Sequence, residues 1–209
     1  MLIRKGAEAS LYLETWHGRK VILKKRLEKK YRIPELDFTI RTQRTKHEPL
    51  IIHKAKKAGV PTPIIYMIDL NSSTIIMEFV KGKRLKEMLD EISHEERRSL
   101  CRRIGILVGK LHKSGIIHGD LTTSNMILTP EGRIVFIDFG LSEQSFETES
   151  LGVDLHLMKR ALLSTHFAYA EKCFVSIIEG YREVMGEKTE EILKKIREIE
   201  KRGRYISER

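Results

Sequence analysis

An α+β fold in two lobes is predicted for this 209-residue chain. Three observations lead there. Runs with strand alternation crowd residues 1–80, helical spacing of apolar residues takes over after Gly82, and a polar loop flanked by apolar runs, IIHGDLTTSNMIL over 116–128, interrupts the helical part. The expected architecture is a small antiparallel sheet with one long helix over 1–80, joined to a reduced helical lobe over 81–209 that ends in a basic tail.

Each element has a local reason. Leu11–Thr15, Lys20–Arg26, Ile64–Leu70 and Thr74–Val80 are short apolar or alternating runs and predict strands. Asn71–Ser73 supplies a tight hairpin turn between the last two. Glu35–Ala58 is rich in helix formers and is closed by Gly59, Pro61 and Pro63. After Gly82, Leu85–Glu91 predicts a short helix. A longer one starts at Ser93, where SHEE forms a capping box, and stops at Gly115. Its residues Leu100, Ile104, Leu107, Val108 and Leu111 recur at helical spacing. A PEG turn at 130–132 leads into the apolar run RIVFID over 133–138. Helices follow at 151–163, 167–185 and 189–202.

Composition sets the class. Apolar residues make up 41% and charged residues 33% of the chain, which separates a folded globular protein from a disordered one. The longest apolar run, TPIIYMIDL, is too short to span a bilayer, and the start does not resemble a secretion signal, so a cytoplasmic protein with no membrane partner is expected. Cys101 and Cys173 have no ligand or disulfide spacing and are expected to be packed free thiols. The net charge of +10 is concentrated over 19–32 and 194–209. Such faces attract a polyanion such as RNA, or are simply solvated surface; charge alone does not separate the two.

Phosphoryl transfer needs a cation on the phosphates, a bound metal and a residue that orients the nucleophile. HGDLTTSN follows the protein-kinase catalytic-loop spacing H-x-D-L-x-x-x-N. That spacing puts Asp120 beside the accepting hydroxyl and Asn125 on a metal. DFG at 138–140 adds Asp138 as a second metal ligand. The two motifs in order, each after an apolar strand, carry far more weight than either alone. In KVILKKR, strand alternation makes Lys24 the lysine that meets phosphate oxygens, with Lys25 on the opposite face. Glu48 on the long helix is the carboxylate expected to hold Lys24, ahead of Glu35 at the helix start. Met77 is placed at the back of an adenine pocket, with backbone groups of Glu78 and Val80 bonding the base. Gly6 stands where a glycine-rich loop would cover the phosphates, although KGAEAS has one glycine against three in the kinase pattern.

Taken together, GAEAS, ILKKRLEKKYR, IIHGDLTTSNMIL, IDFGLS and GVDLHLMKRAL resemble the small atypical serine/threonine kinase of the KEOPS (EKC) complex, the PRPK family, over essentially the whole chain. The resemblance implies a minimal two-lobed protein-kinase-like fold, with 1–209 as a single kinase domain. It also implies ATP and Mg2+ as cofactors, and autophosphorylation or ATP hydrolysis as the activity. The expected partners are a threonylcarbamoyl-transferase subunit, other KEOPS subunits, and tRNA held through basic faces during threonylcarbamoyl-adenosine modification. Lys24, Glu48, Asp120, Asn125 and Asp138 fit the family's catalytic positions. Asp154 fits the aspartate that ties down the catalytic loop, or is a carboxylate near a helix N-terminus. The basic tail KRGRYISER matches a family in which terminal arginines approach the active site.

Two departures from ordinary kinases bear on purpose. Gly119 occupies the place of the arginine that grips a phosphorylated activation loop, and residues 142–150 are too few to shape a peptide groove. Alternatives from the residues are a RIO-type kinase in ribosome assembly, a small-molecule kinase of the aminoglycoside type, or a nucleotide-gated tRNA-binding scaffold.

Overall fold

Alternation in the first part of the chain is realised as a five-stranded antiparallel sheet. The computed structural model describes residues 1–6 and 8–207, with side chains described through Arg202. β1 (Leu2–Lys5), β2 (Ser10–Trp16), β3 (Arg19–Lys25), β4 (Ile65–Asp69) and β5 (Thr74–Glu78) lie in the order β1-β2-β3-β5-β4. β1 was not anticipated. It is a fully exposed edge strand that no alternation marks, recruited by pairing Leu2 with Tyr12 and Lys5 with Ser10. The β2–β3 hairpin turns on His17 and Gly18 at φ 47° and 74°, the two left-handed residues of a type I′ turn. In the predicted turn between β4 and β5, the Asp69 carboxylate accepts from the amides of Asn71 and Ser72 at 3.0 and 3.3 Å.

Helix α1 (Pro34–Lys57) packs beside this sheet and buries Thr45, Glu48, Ile51, Ile52 and Ala55. It runs unbroken over the expected span, through Pro49, although a proline inside a helix removes one backbone hydrogen bond. Burial of one face outweighs the hydrogen bond that Pro49 cannot donate, and the proline lies next to Glu48, the residue this helix contributes to the cavity.

The second lobe comprises β6 (Lys83–Arg84), α2 (Leu85–Met88), α3 (His94–Lys113), β7 (Ile116–Ile117), β8 (Met126–Leu128), β9 (Ile134–Phe136), β10 (Glu143–Gln144), α4 (Thr148–Thr165), α5 (Ala170–Met185) and α6 (Lys188–Ser207). α2 is shorter than expected because Arg97 takes over its end, donating to the carbonyls of Leu89, Asp90 and Ile92. At the start of α3 the predicted capping box is present: Ser93 Oγ accepts from Glu96 N at 3.2 Å, and Glu96 Oε2 accepts from Ser93 N at 3.0 Å. α3 and α5 run in the same direction, since Arg98 pairs with Glu179 and Arg102 with Glu183. Their backbones touch: a Cβ at Gly105 would sit 1.9 Å from Ile177 O, and one at Gly180 1.9 Å from Arg102 O. Cys101 and Cys173 are buried and unbridged, as expected. Among the described residues no helix is long and apolar enough to cross a membrane.

These elements converge on the polar loop. Leu121, Met126, Phe136 and Phe139 are fully buried and anchor the chain on both sides of it, so its polar side chains cannot drift from the core.

Candidate active site at the junction of the lobes

Residues far apart in sequence meet where β3, α1 and the polar loop face one another. Lys24 Nζ lies 2.7 Å from Glu48 Oε1 and 2.7 Å from Asp138 Oδ1. Lys24 is 6% and Glu48 1% exposed, whereas the Asp138 side chain is 44% exposed toward the cavity. Burial works to lower the pKa of Lys24, but the charges of Glu48 and Asp138 outweigh it, so the ammonium is held above its ordinary value. Asp138 shows the converse. Burial works to raise it, and Lys24 at hydrogen-bond distance holds it below the usual carboxylate range. Asp138 itself has φ 62°, a backbone conformation rare outside glycine.

The polar loop is shaped from behind by Asp154. Its Oδ2 accepts from His118 N at 2.8 Å and from His112 Nε2 at 3.2 Å, and its Oδ1 accepts from Gly119 N at 2.9 Å. On its other side, His112 Nδ1 lies 2.8 Å from the Tyr181 hydroxyl. Burial works to raise the Asp154 pKa, and the bond from His112 with the other donors holds it below its ordinary value. His118 packs 4.7 Å from the Phe139 ring, and burial pushes its pKa down. A second brace runs through His166, which bonds Thr123 Oγ1 at 3.0 Å and Asp90 Oδ1 at 2.8 Å.

Asn125 Nδ2 donates to the carbonyl and the Oδ2 of Asp120, at 3.0 and 2.8 Å, which turns the side-chain oxygen of Asn125 away from Asp120. Asn125 and Asp138 line a cavity of about 480 Å³ whose apolar walls include Leu11, Ile22, Met77, Val80 and Ile127. Glu78 lines it too, but its amide donates to Ile64 O at 2.8 Å and its carboxylate accepts from Ile64 N at 3.0 Å, so that amide is engaged within the sheet. Lys24 and Asp138 also line an adjoining space of about 190 Å³ with Gly6, Arg4, Arg26 and Asp120. An apolar slot beside a chamber lined by four cations and three carboxylates is suited to a flat base carrying phosphates. Among the described residues no group of three or more His, Cys, Asp or Glu could hold a metal ion. One carboxylate and one amide oxygen suit Mg2+, which keeps waters and takes phosphate oxygens, better than they suit a metal that demands a full protein cage.

Beyond Phe139 the chain is fastened down. Ser142 Oγ donates to Phe139 O at 2.5 Å, His47 Nε2 bonds Ser142 O at 3.0 Å, and β10 pairs with β7. Gly119 has φ 77°, and a Cβ there would lie 2.2 Å from Leu141 O, so the glycine is required by close backbone contact.

Lys24, Glu48, Asp120, Asn125, Asp138, Met77, Glu78, Val80 and Gly6 therefore surround one connected space, and Glu35 is exposed away from it. The basic clusters are less uniform than their counts. Lys24 and Arg26 are buried, Lys195 pairs with Glu149 and Glu198, and Arg202 pairs with Glu149 at 2.5 Å. Of the tail arginines expected to approach the active site, Arg202 is the one paired with Glu149, and the side chain of Arg204 lies outside those described. Sequence reasoning passed over Arg26, His112 and Tyr181. Arg26 was accessible from the alternation that selected Lys24, whereas nothing local marks the other two.

A lysine shared between a helix carboxylate and a DFG aspartate, facing a loop Asp–Asn pair, defines the class as a protein kinase fold. The protein kinase domain family matches residues 5–168. The chain is 50% identical to the KEOPS complex subunit Bud32 of Pyrococcus abyssi, over 98% of this chain and 96% of that one. It is 38% identical to the EKC/KEOPS complex subunit bud32 of Dictyostelium discoideum, over 98% and 82%. It is also 46% identical to a protein of Methanothermobacter thermautotrophicus named "Probable bifunctional tRNA threonylcarbamoyladenosine biosynthesis protein", of which it spans 36%. The chain belongs to the protein kinase domain family and, within it, to the family of KEOPS Bud32 subunits.

Proposed function

We propose that this protein is an ATP-dependent atypical serine/threonine kinase and ATPase that serves threonylcarbamoyl-adenosine modification of tRNA within a KEOPS complex, beside a threonylcarbamoyl-transferase subunit. The observation that carries the reading is Lys24 Nζ at 2.7 Å from both Glu48 and Asp138, opposite Asp120 and Asn125. In this reading Met77, Val80 and the Glu78 carbonyl surround adenine, Gly6 lets the backbone approach the phosphates, and Lys24 binds phosphate oxygens while Glu48 holds it in place. Asp120 orients the attacking hydroxyl or water and accepts its proton. Magnesium held by Asn125 and Asp138 neutralises charge on the phosphate oxygens when bound. The reading treats residues 1–80 and 81–209 as the two lobes of one kinase domain.

The pinned segment after Asp138 supports turnover in the service of a partner over phosphorylation of free peptides, because residues 145–147 alone separate β10 from α4. The name of the methanogen relative, whose remaining length lies outside the match, supports a partner that acts on tRNA. The test is ATP hydrolysis and self-labelling by the purified chain, and tRNA modification when it is combined with its transferase partner. Asp138→Ala is expected to abolish ATP turnover and with it the modification. Unchanged turnover in that variant would remove the assignment of Asp138.

A further inference from the structure

Arg26 is a buried cation to which the kinase pattern gives no task. It is 3% exposed, lies one residue past the end of β3 with its amide donating to Ser73 O at 3.0 Å, and lines the same space as Lys24. Arg26 Nη2 lies 2.5 Å from Glu48 Oε2, while Lys24 takes Glu48 Oε1 at 2.7 Å. Its Nη1 reaches Thr45 Oγ1 at 3.5 Å, one turn earlier on α1, and that hydroxyl donates to Arg41 O at 2.7 Å.

The consequence is mechanical and electrostatic. A helix carboxylate held by a single lysine can leave when the helix swings, since one contact defines no orientation. Here two cations grip the two oxygens of Glu48, and the guanidinium fork reaches a second residue of the same helix. The Glu48 charge is also shared, so Lys24 keeps attraction for Asp138 and for phosphate. Pro49, which lacks the amide that would stiffen this turn, adds to the need for an outside tie.

We propose that Arg26 is a positioning residue: it ties α1 to the end of β3 so that Glu48 stays on Lys24, and the phosphate end of the site is assembled without a regulatory movement of the helix. The inference rests on the proposed reading of Lys24, Glu48 and Asp138 as an ATP site. It is tested in the full chain with Arg26→Met and Arg26→Lys, measuring kcat and KM for ATP, thermal melting, and amide hydrogen exchange over residues 44–52. Arg26→Met is expected to lower kcat about tenfold or more with KM changed less than about threefold, because the adenine walls are untouched. Exchange in α1 should rise while that of β5 stays as in the parent, and Arg26→Lys should recover part of kcat. A large rise in KM at unchanged kcat would mean direct phosphate binding and would overturn the proposal, as would parental kcat and exchange in Arg26→Met. Should Arg26→Met fail to melt cooperatively, Arg26→Gln, which removes the charge but keeps a polar side chain, decides. Raised α1 exchange with lowered kcat supports the tie, and parental values in both overturn it. Asp138→Ala separates the two levels. Full turnover in that variant removes the ATP-site reading, whereas an inactive Asp138→Ala beside a parental Arg26→Met removes only the role of Arg26.

Discussion

Replacing Asp154 by asparagine changes one atom in a fully buried site and should cost more than most surface substitutions together. The carboxylate accepts two hydrogen bonds on Oδ2, from His118 N and His112 Nε2, and one on Oδ1, from Gly119 N. An amide can keep its oxygen toward His118 and His112, but its NH2 group then faces the Gly119 amide, donor against donor. One bond is lost, two lose their ionic character, and a buried N–H is left unpaired. Hydrogen bonds to charged groups contribute about 1.5–3 kcal/mol each, and breaking a buried charged network costs about 3–5 kcal/mol, so the loss should fall near about 4 kcal/mol. For a chain of this length that lowers the melting midpoint by on the order of 10 °C. Thermal unfolding followed by circular dichroism measures it. ATP turnover, assayed at a temperature where the variant is folded, should fall as well, because the loop bearing Asp120 and Asn125 has lost its anchor. A midpoint within about 2 °C of the parent would refute the account of Asp154 as the anchor of the loop.

The remaining predictions concern charge, contact and pH. Lys24→Met should reduce ATP turnover by on the order of a hundredfold, the scale of a lost transition-state donor, and steady-state hydrolysis checks it. Gly119→Ala should destabilise the fold by about 2 kcal/mol or more in urea titration, since the side chain needs both a left-handed backbone and the space held by Leu141 O. Gly105→Ala should separate α3 from α5 and cost about 1–3 kcal/mol; an unaffected urea midpoint would contradict the backbone contact with Ile177. The folded-state pKa values of Asp138 and Asp154 are depressed, so their contribution is present above about pH 3.9 and is lost as pH falls through the folded values. His118 is depressed as well, so its contribution is present above about pH 6.5 and declines below it. Lys24 is raised, so its contribution holds below about pH 10.5 and is lost as pH climbs through the folded value. Stability measured against pH should therefore decline in two acid stages and one alkaline stage, and Asp154→Asn should flatten the lower acid stage.

Much of the site was legible because its signals are local. Asp120, Asn125 and Asp138 sit at fixed spacings at the ends of apolar strands, and Lys24 follows from alternation, so period and motif suffice to choose them. The capping box at Ser93 and the Asn71–Ser73 turn were readable for the same reason: each is a bargain between neighbours in the chain. β1 was not readable, since an exposed edge strand has no apolar face to betray it and exists through pairing with β2. The long helix expected over Glu35–Ala58 was legible from its helix formers and its closing Gly59, and burial of one face carries it through Pro49.

Sequence by itself determined the class of elements and singled out the residues proposed for phosphoryl chemistry. Tertiary structure alone decided what those residues do to one another. Lys24 and Asp138 are 114 positions apart, and only packing of the two lobes brings their charges to 2.7 Å. His112, Asp154 and Tyr181 form a buried chain across α3, α4 and α5 that no spacing announces. Arg26 looked like surface charge in a basic run and is instead enclosed against Glu48. Local pattern reflects the periodicity of backbone geometry, whereas burial and partner choice depend on which distant surfaces exclude water together.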